Sequence, residues 1–94
     1  MTLAPTFKPT GRLDGVTAGD AEKQLLNLLA GGAQNVTVNL SELDYVSSAG
    51  LRVLLIAAKA AKAKGGSIVL SAPKPSVLEV LKISGFDRII AIAP

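Results

Sequence analysis

The sequence predicts an α/β fold with a parallel or mixed sheet and helices lying mainly on one of its faces. Three observations carry this. Segments of helical period alternate with short β-branched runs, and the connections between them are short. A strand–helix–strand–helix order with short connections implies parallel strands joined by right-handed crossovers. Finally, Val36, Val38 and Leu40 alternate with Thr37 and Asn39, the period-two pattern of a strand with unequal faces. A sheet covered on both faces would favour continuous apolar runs instead.

Taken in order, residues 2–10 are expected to be extended, because Pro5 and Pro9 cannot sit inside a helix and tolerate only an edge strand. Gly11-Arg12-Leu13-Asp14-Gly15 reads as a turn. Thr17 is expected to begin the first helix, with Asp20 three residues on in a capping-box-like arrangement and Glu22 in the early helix. Its buried stripe is Ala18, Ala21, Leu25, Leu26 and Leu29, and Gly31-Gly32 ends it. A strand over residues 35–40 and a loop over residues 41–47 follow.

The longest helical pattern spans residues 48–64, where Leu51, Leu54, Leu55, Ala58 and Ala61 recur among strong helix formers. Leu51 belongs mainly to the core. Arg52 and Lys59, seven residues apart, share a stripe away from the leucine face. Gly65-Gly66 stops the helix. Residues 67–71 (Ser-Ile-Val-Leu-Ser) read as a short buried strand. Pro73 and Pro75 interrupt the chain, and Ser76 with Glu79 forms a capping box ahead of a short helix carrying Val77, Leu78 and Leu81. Gly85 fits the position just after its end. Phe86 and the run from Ile89 to Ile92 form a last short strand or extended tail.

Composition narrows the function. Ninety-four residues, 49% of them hydrophobic, make one domain over residues 1–94 with one modest core of Leu, Val, Ile and Ala. There is no cysteine and no histidine. Disulfides, thiolate chemistry, and the commonest general base and metal ligand are thereby excluded. Carboxylate pairs for catalysis would have to come from Asp14, Glu42, Asp44 and Asp87, and Asp44 near a serine reads better as a loop residue bonding locally. Neither glycine pair is followed by Lys-Ser or Lys-Thr, so no phosphate-binding loop is present. The chain is read as a non-enzyme with no cofactor and no metal.

The net charge of +3 comes without a basic run. Lys59, Lys62 and Lys64 sit near a helix end, where cations complement the dipole, and one Tyr with two Phe offers little for base stacking. Nucleic acid is not an expected partner. The longest apolar run, within residues 53–58, is far below a bilayer span, and the first five residues lack the pattern of a signal peptide. No membrane insertion is expected, and a cytoplasmic location follows by default.

What remains is the stretch Leu43-Asp44-Tyr45-Val46-Ser47-Ser48-Ala49-Gly50-Leu51-Arg52, where strand-like sequence gives way to the long helix. Ser48 falls where an N-cap is expected. Ala49 and Gly50 have no side chain to shield its hydroxyl, and the free N–H groups and dipole of a helix start favour an anion.

This stretch, continued by Val53-Leu54-Leu55, resembles the signature of the STAS domain family of sulfate transporters and anti-sigma factor antagonists. The resemblance runs from about Gly11 to Ile90 and includes Val38-Asn39-Leu40-Ser41, Gly65-Gly66 and Ser84-Gly85-Phe86-Asp87. In the bacterial antagonists the serine matching Ser48 is the phosphorylated one. The preceding residue is often Asp, here Ser47, and the following one often Ser or Thr, here Ala49. The resemblance implies a STAS-like domain that docks on an anti-sigma factor, a histidine-kinase-like ATPase and serine kinase, and so releases a sigma factor. Phosphorylation of Ser48 ends the docking and leaves room for a phosphoserine phosphatase as a further partner. The expected docking surface is Asp44, Ser47, Ser48, Ala49, Gly50 and Arg52. The alternative is a non-phosphorylated STAS scaffold, or an accessory subunit of a transporter or signalling complex, with Ser48 a mere cap.

Overall fold

The alternating run and the short apolar run after the long helix form the centre of the sheet. In the computed structural model, which describes residues 5–93, β3 (Asn35–Asn39) pairs in parallel with β5 (Ser67–Ser71), from Asn35 opposite Ser67 to Asn39 opposite Ser71. Val36, Val38, Ile68 and Leu70 are buried, while Thr37, Asn39, Val69 and Ser71 on the opposite face are only half-buried. That inequality is the one read from the alternation: one face of the sheet carries the main core. β1 (Thr6–Phe7) adds to the outer side of β3 and β6 (Ala91–Ala93) to the outer side of β5, both parallel, giving the order β1-β3-β5-β6. The extension expected over residues 2–4 lies outside the described residues.

Between these strands run α1 (Ala18–Ala30), α2 (Ser48–Ala63) and α3 (Pro75–Ile83), with a 3-10 turn over Phe86–Arg88 before β6. The core joins Leu25 and Leu29 of α1, Val53, Leu54, Ala57 and Ala61 of α2, and Val77 and Leu81 of α3 to the buried strand residues. Leu51 and Leu55 pack against this cluster and are partly buried. Gly85 stands at φ +76° just beyond α3, the left-handed position that glycine occupies without strain.

Four local expectations are corrected. Residues 11–13 are not a turn and residues 43–46 are not loop: β2 (Gly11–Leu13) and β4 (Leu43–Val46) form a separate parallel pair. The pairing slips between Gly11, opposite Leu43, and Arg12, opposite Tyr45, which leaves Asp44 unmatched. A bulge of this kind turns two consecutive side chains outward. β4 therefore reads buried, exposed, exposed, buried, and shows no period of two.

Thr17 makes no side-chain cap to α1. Asp14 holds that end instead: its carboxylate accepts from the N–H groups of Val16 (3.0 Å) and Thr17 (3.3 Å), and its carbonyl accepts from Ala18 N–H at 2.8 Å. The Thr17 hydroxyl donates to the Arg12 carbonyl at 2.9 Å and accepts from Asp14 N–H at 3.0 Å. It ties the end of β2 to the helix. Nor does Ser76 cap α3. Lys74 occupies the cap position and Pro75 the first helical position, where its fixed φ suits the helix and its missing N–H is no loss. The fourth correction, at the start of α2, concerns the candidate site.

Candidate docking surface at the start of α2

Of the two adjacent serines at the start of α2, Ser47 is the cap. It is extended (φ −96°, ψ 177°), and its Oγ accepts from Gly50 N–H at 3.3 Å. A capping oxygen reaches the second or third N–H of the helix, and Gly50 is the third residue after Ser47. Ser48, expected at the cap, is instead the first residue inside the helix. Its side chain is exposed, whereas Ser47 is half-buried. Among the described residues, neither Ser48 nor Ala49 has a partner for its backbone N–H. The result is an exposed hydroxyl with no structural bond, beside two free N–H groups at the positive end of the dipole.

What fixes this geometry lies underneath. Ser47 N–H donates to the carbonyl of Leu13 at 2.9 Å, so the last residue of β2 holds the cap in place. Gly50 is buried against the same residue: a Cβ there would lie 2.4 Å from Leu13 O and 2.8 Å from Val46 Cγ2. Gly50 thus belongs to the packing and not to an open turn. Gly50, expected among the docking residues, is buried in this packing. No larger residue would let the helix approach the strands so closely.

The bulge in β4 sets Asp44 and Tyr45 on the outside, directly before the cap. Asp44 forms an exposed ion pair with Lys74, which connects β4 to the start of α3. Tyr45 lies under Arg12, whose guanidinium carbon is 4.3 Å from the ring centroid. That is within the range of a cation–π contact. Arg12 also donates from Nε to Asp14 Oδ2 at 3.1 Å. This bond, with the Val16 and Thr17 N–H groups, holds the Asp14 carboxyl below the usual carboxylate range. On the other side, Ser48, Ala49, Arg52 and Val53 line a shallow depression with Ala18 and Glu22 of α1. Arg52 is exposed, one turn along from Ser48.

Sequence reasoning brought together Asp44, Ser47, Ser48, Ala49, Gly50 and Arg52, and the fold places all six around the start of α2, with Gly50 buried. It missed Arg12, Asp14, Lys74 and Glu22 as neighbours of that point. These four arrive through strand and helix pairing, whereas Tyr45 lies within the stretch the sequence singled out. Among the described residues, no group of three His, Cys, Asp or Glu is placed to hold a metal, and no helix is long and apolar enough to cross a membrane.

Comparison with known proteins gives one consistent family. The family model of the STAS domain matches residues 3–94. A protein of Bordetella bronchiseptica provisionally named anti-sigma factor antagonist BtrV is 41% identical over 83 residues, which is 88% of this chain and 72% of that protein. The crystal structure of a provisionally named anti-sigma factor antagonist of Thermotoga maritima superposes with a TM-score of 0.89 at 26% identity, covering 95% of this chain and 77% of the other. SpoIIAA, a Bacillus cell fate determinant and anti-sigma factor antagonist, shares the fold. Its unphosphorylated form gives a TM-score of 0.81 at 23% identity, covering all of this chain and 84% of its own. Its phosphorylated form gives 0.73 at 21%, covering all of this chain and 87% of its own.

Proposed function

The chain belongs to the STAS domain family, and we propose that it is an anti-sigma factor antagonist whose docking is switched off by phosphorylation of Ser48. The observation that carries this reading is the division of labour between the two serines. Ser47 caps the helix and Ser48 is left exposed with its hydroxyl unbonded. Asp and Ser are both strong N-caps, so Ser47 in place of the family's frequent Asp leaves the capping intact.

The partner is an anti-sigma factor that is also a serine kinase of the histidine-kinase-like ATPase type. It docks over Asp44, Ser47, Ser48, Ala49 and Arg52, and its capture releases a sigma factor in the cytoplasm. In the phosphorylation step the Ser48 Oγ attacks the terminal phosphorus of ATP. An O–P bond forms, the bond to the leaving ADP breaks, and the hydroxyl proton passes to a base of the kinase. The product carries about two negative charges at a point that was neutral. Those charges suit a helix start in water, but they desolvate at high cost inside an interface. A phosphoserine phosphatase resets the switch. The 94-residue domain acts through binding and contributes no catalysis of its own.

The test is phosphorylation by the cognate anti-sigma factor and ATP, with the site mapped by mass spectrometry. Phosphate is expected on Ser48 in the wild type and in Ser47→Ala, and on neither serine in Ser48→Ala. Phosphate on Ser47 would refute the assignment.

A further inference from the structure

Three basic side chains lie around the start of α2, and two of them are already paired. Arg12 is bonded to Asp14 and covers Tyr45, and Lys74 is bonded to Asp44. Arg52 makes no ion pair among the described residues. It is exposed, stands four residues after Ser48 on the same helix, and lines the same depression, in which it is the one cation. Residues four apart on a helix are surface neighbours, and an anion preceding a cation at this spacing is the favourable order. A guanidinium also matches the oxygens of a phosphate in a two-pronged contact.

We infer that Arg52 changes partner on phosphorylation: it is offered to the docking protein while Ser48 bears a hydroxyl, and it is taken by the Ser48 phosphate afterwards. The inference rests on the reading of Ser48 as phosphoacceptor and says how that modification acts. The docking surface gains negative charge and at the same time loses its one unpaired cation. No backbone movement is needed, because both groups sit on one rigid turn. The remaining charges nearby do not substitute. Glu22, on the α1 side of the depression, repels the phosphate, while the Arg12–Asp14 and Asp44–Lys74 pairs are each neutral as pairs.

The test uses the whole chain with phosphoserine installed at position 48 during synthesis, with no partner protein present. The phosphorus NMR shift is followed against pH at low salt. A phosphoserine loses its second proton near pH 6, and an adjacent cation favours the dianion. The midpoint should therefore lie lower in the wild type than in Arg52→Gln, by about 0.3 pH. Arg52→Lys should fall between them, and the difference should shrink in roughly 1 M salt. Superimposable titrations of wild type and Arg52→Gln would overturn the inference. Both variants keep an exposed site and should fold. Because no anti-sigma factor is in the sample, failure of the docking reading leaves this outcome unchanged.

Discussion

At its C-terminal end α2 runs into Gly66, so close to the β3 side of the sheet that a Cβ there would lie 1.8 Å from the carbonyl oxygen of Gln34. At its N-terminal end Gly50 stands against the carbonyl oxygen of Leu13, where a Cβ would come within 2.4 Å. Each end is thus anchored by a glycine pressed on the backbone of a neighbouring segment, and each is tied by a backbone bond, Ser67 N–H to Gln34 O and Ser47 N–H to Leu13 O. The difference lies in what is left over. At the C-terminal end Lys64 bonds the Leu29 carbonyl, and Gly66 N–H returns to Ala61 O. At the N-terminal end one serine suffices for the cap, and a second serine, two N–H groups and an arginine remain unengaged among the described residues. A helix end that satisfies its own groups is a joint. One that leaves a hydroxyl and a cation over has groups to offer a partner.

The anchoring glycines should show the largest effects. Gly66→Ala forces a carbon into a backbone carbonyl and should cost more than about 4 kcal/mol, seen as loss of cooperative unfolding or of soluble protein. Gly50→Ala meets Leu13 and Val46 slightly less closely and should cost more than about 3 kcal/mol by urea denaturation. If Gly50→Ala were tolerated, the N-terminal end would be less firmly held than its contacts require.

Next comes the cap. Ser47→Ala should lower stability by about 1 kcal/mol, and Ser48→Ala by less than about 0.5 kcal/mol. The reverse order in thermal melts would return the cap to Ser48 and erase the distinction between the serines.

A smaller effect belongs to Asp14, which holds the loop between β2 and α1. Its carboxyl ionises below its ordinary value when folded, with the Arg12 bond as the largest cause. The resulting stabilisation is present above the unfolded value, about 3.9, and is lost as pH falls through the folded one. Melting temperatures of wild type and Asp14→Asn should differ by a constant amount above about pH 5 and converge below pH 4. A gap that stays constant into acid would mean that the carboxylate's charge contributes nothing.

How much of this was legible depended on where the pairing signal lay. Asn35–Asn39 is five residues long with unequal faces, so its alternation is visible in the sequence alone, and Ser67–Ser71 shows as a short β-branched apolar run although its two faces are unequally buried. Gly11–Leu13 and Leu43–Val46 are shorter and pair only with each other, and the bulge at Asp44 removes the one periodicity that might have marked them. The α1 cap was misplaced for a related reason: Asp14 reaches the helix start from the end of a strand that the sequence does not announce. At Ser47-Ser48 both residues are good caps, and the choice is made by Gly50 wedged against Leu13, a tertiary contact. Sequence resemblance pointed to Ser48, and the fold explains why its hydroxyl is exposed while Ser47 caps the helix.

The most direct measurement is titration of Ser48→Asp with the cognate anti-sigma factor, paired with its thermal melt. Asp at the first helical position places a negative charge at the positive end of the dipole, so its melt should match the wild type within about 0.5 kcal/mol. Its affinity for the anti-sigma factor should fall at least about tenfold, while Ser48→Ala binds as the wild type does. A Ser48→Asp protein that folds and binds like the wild type would contradict the account, because a negative charge at Ser48 would then be of no consequence to the partner.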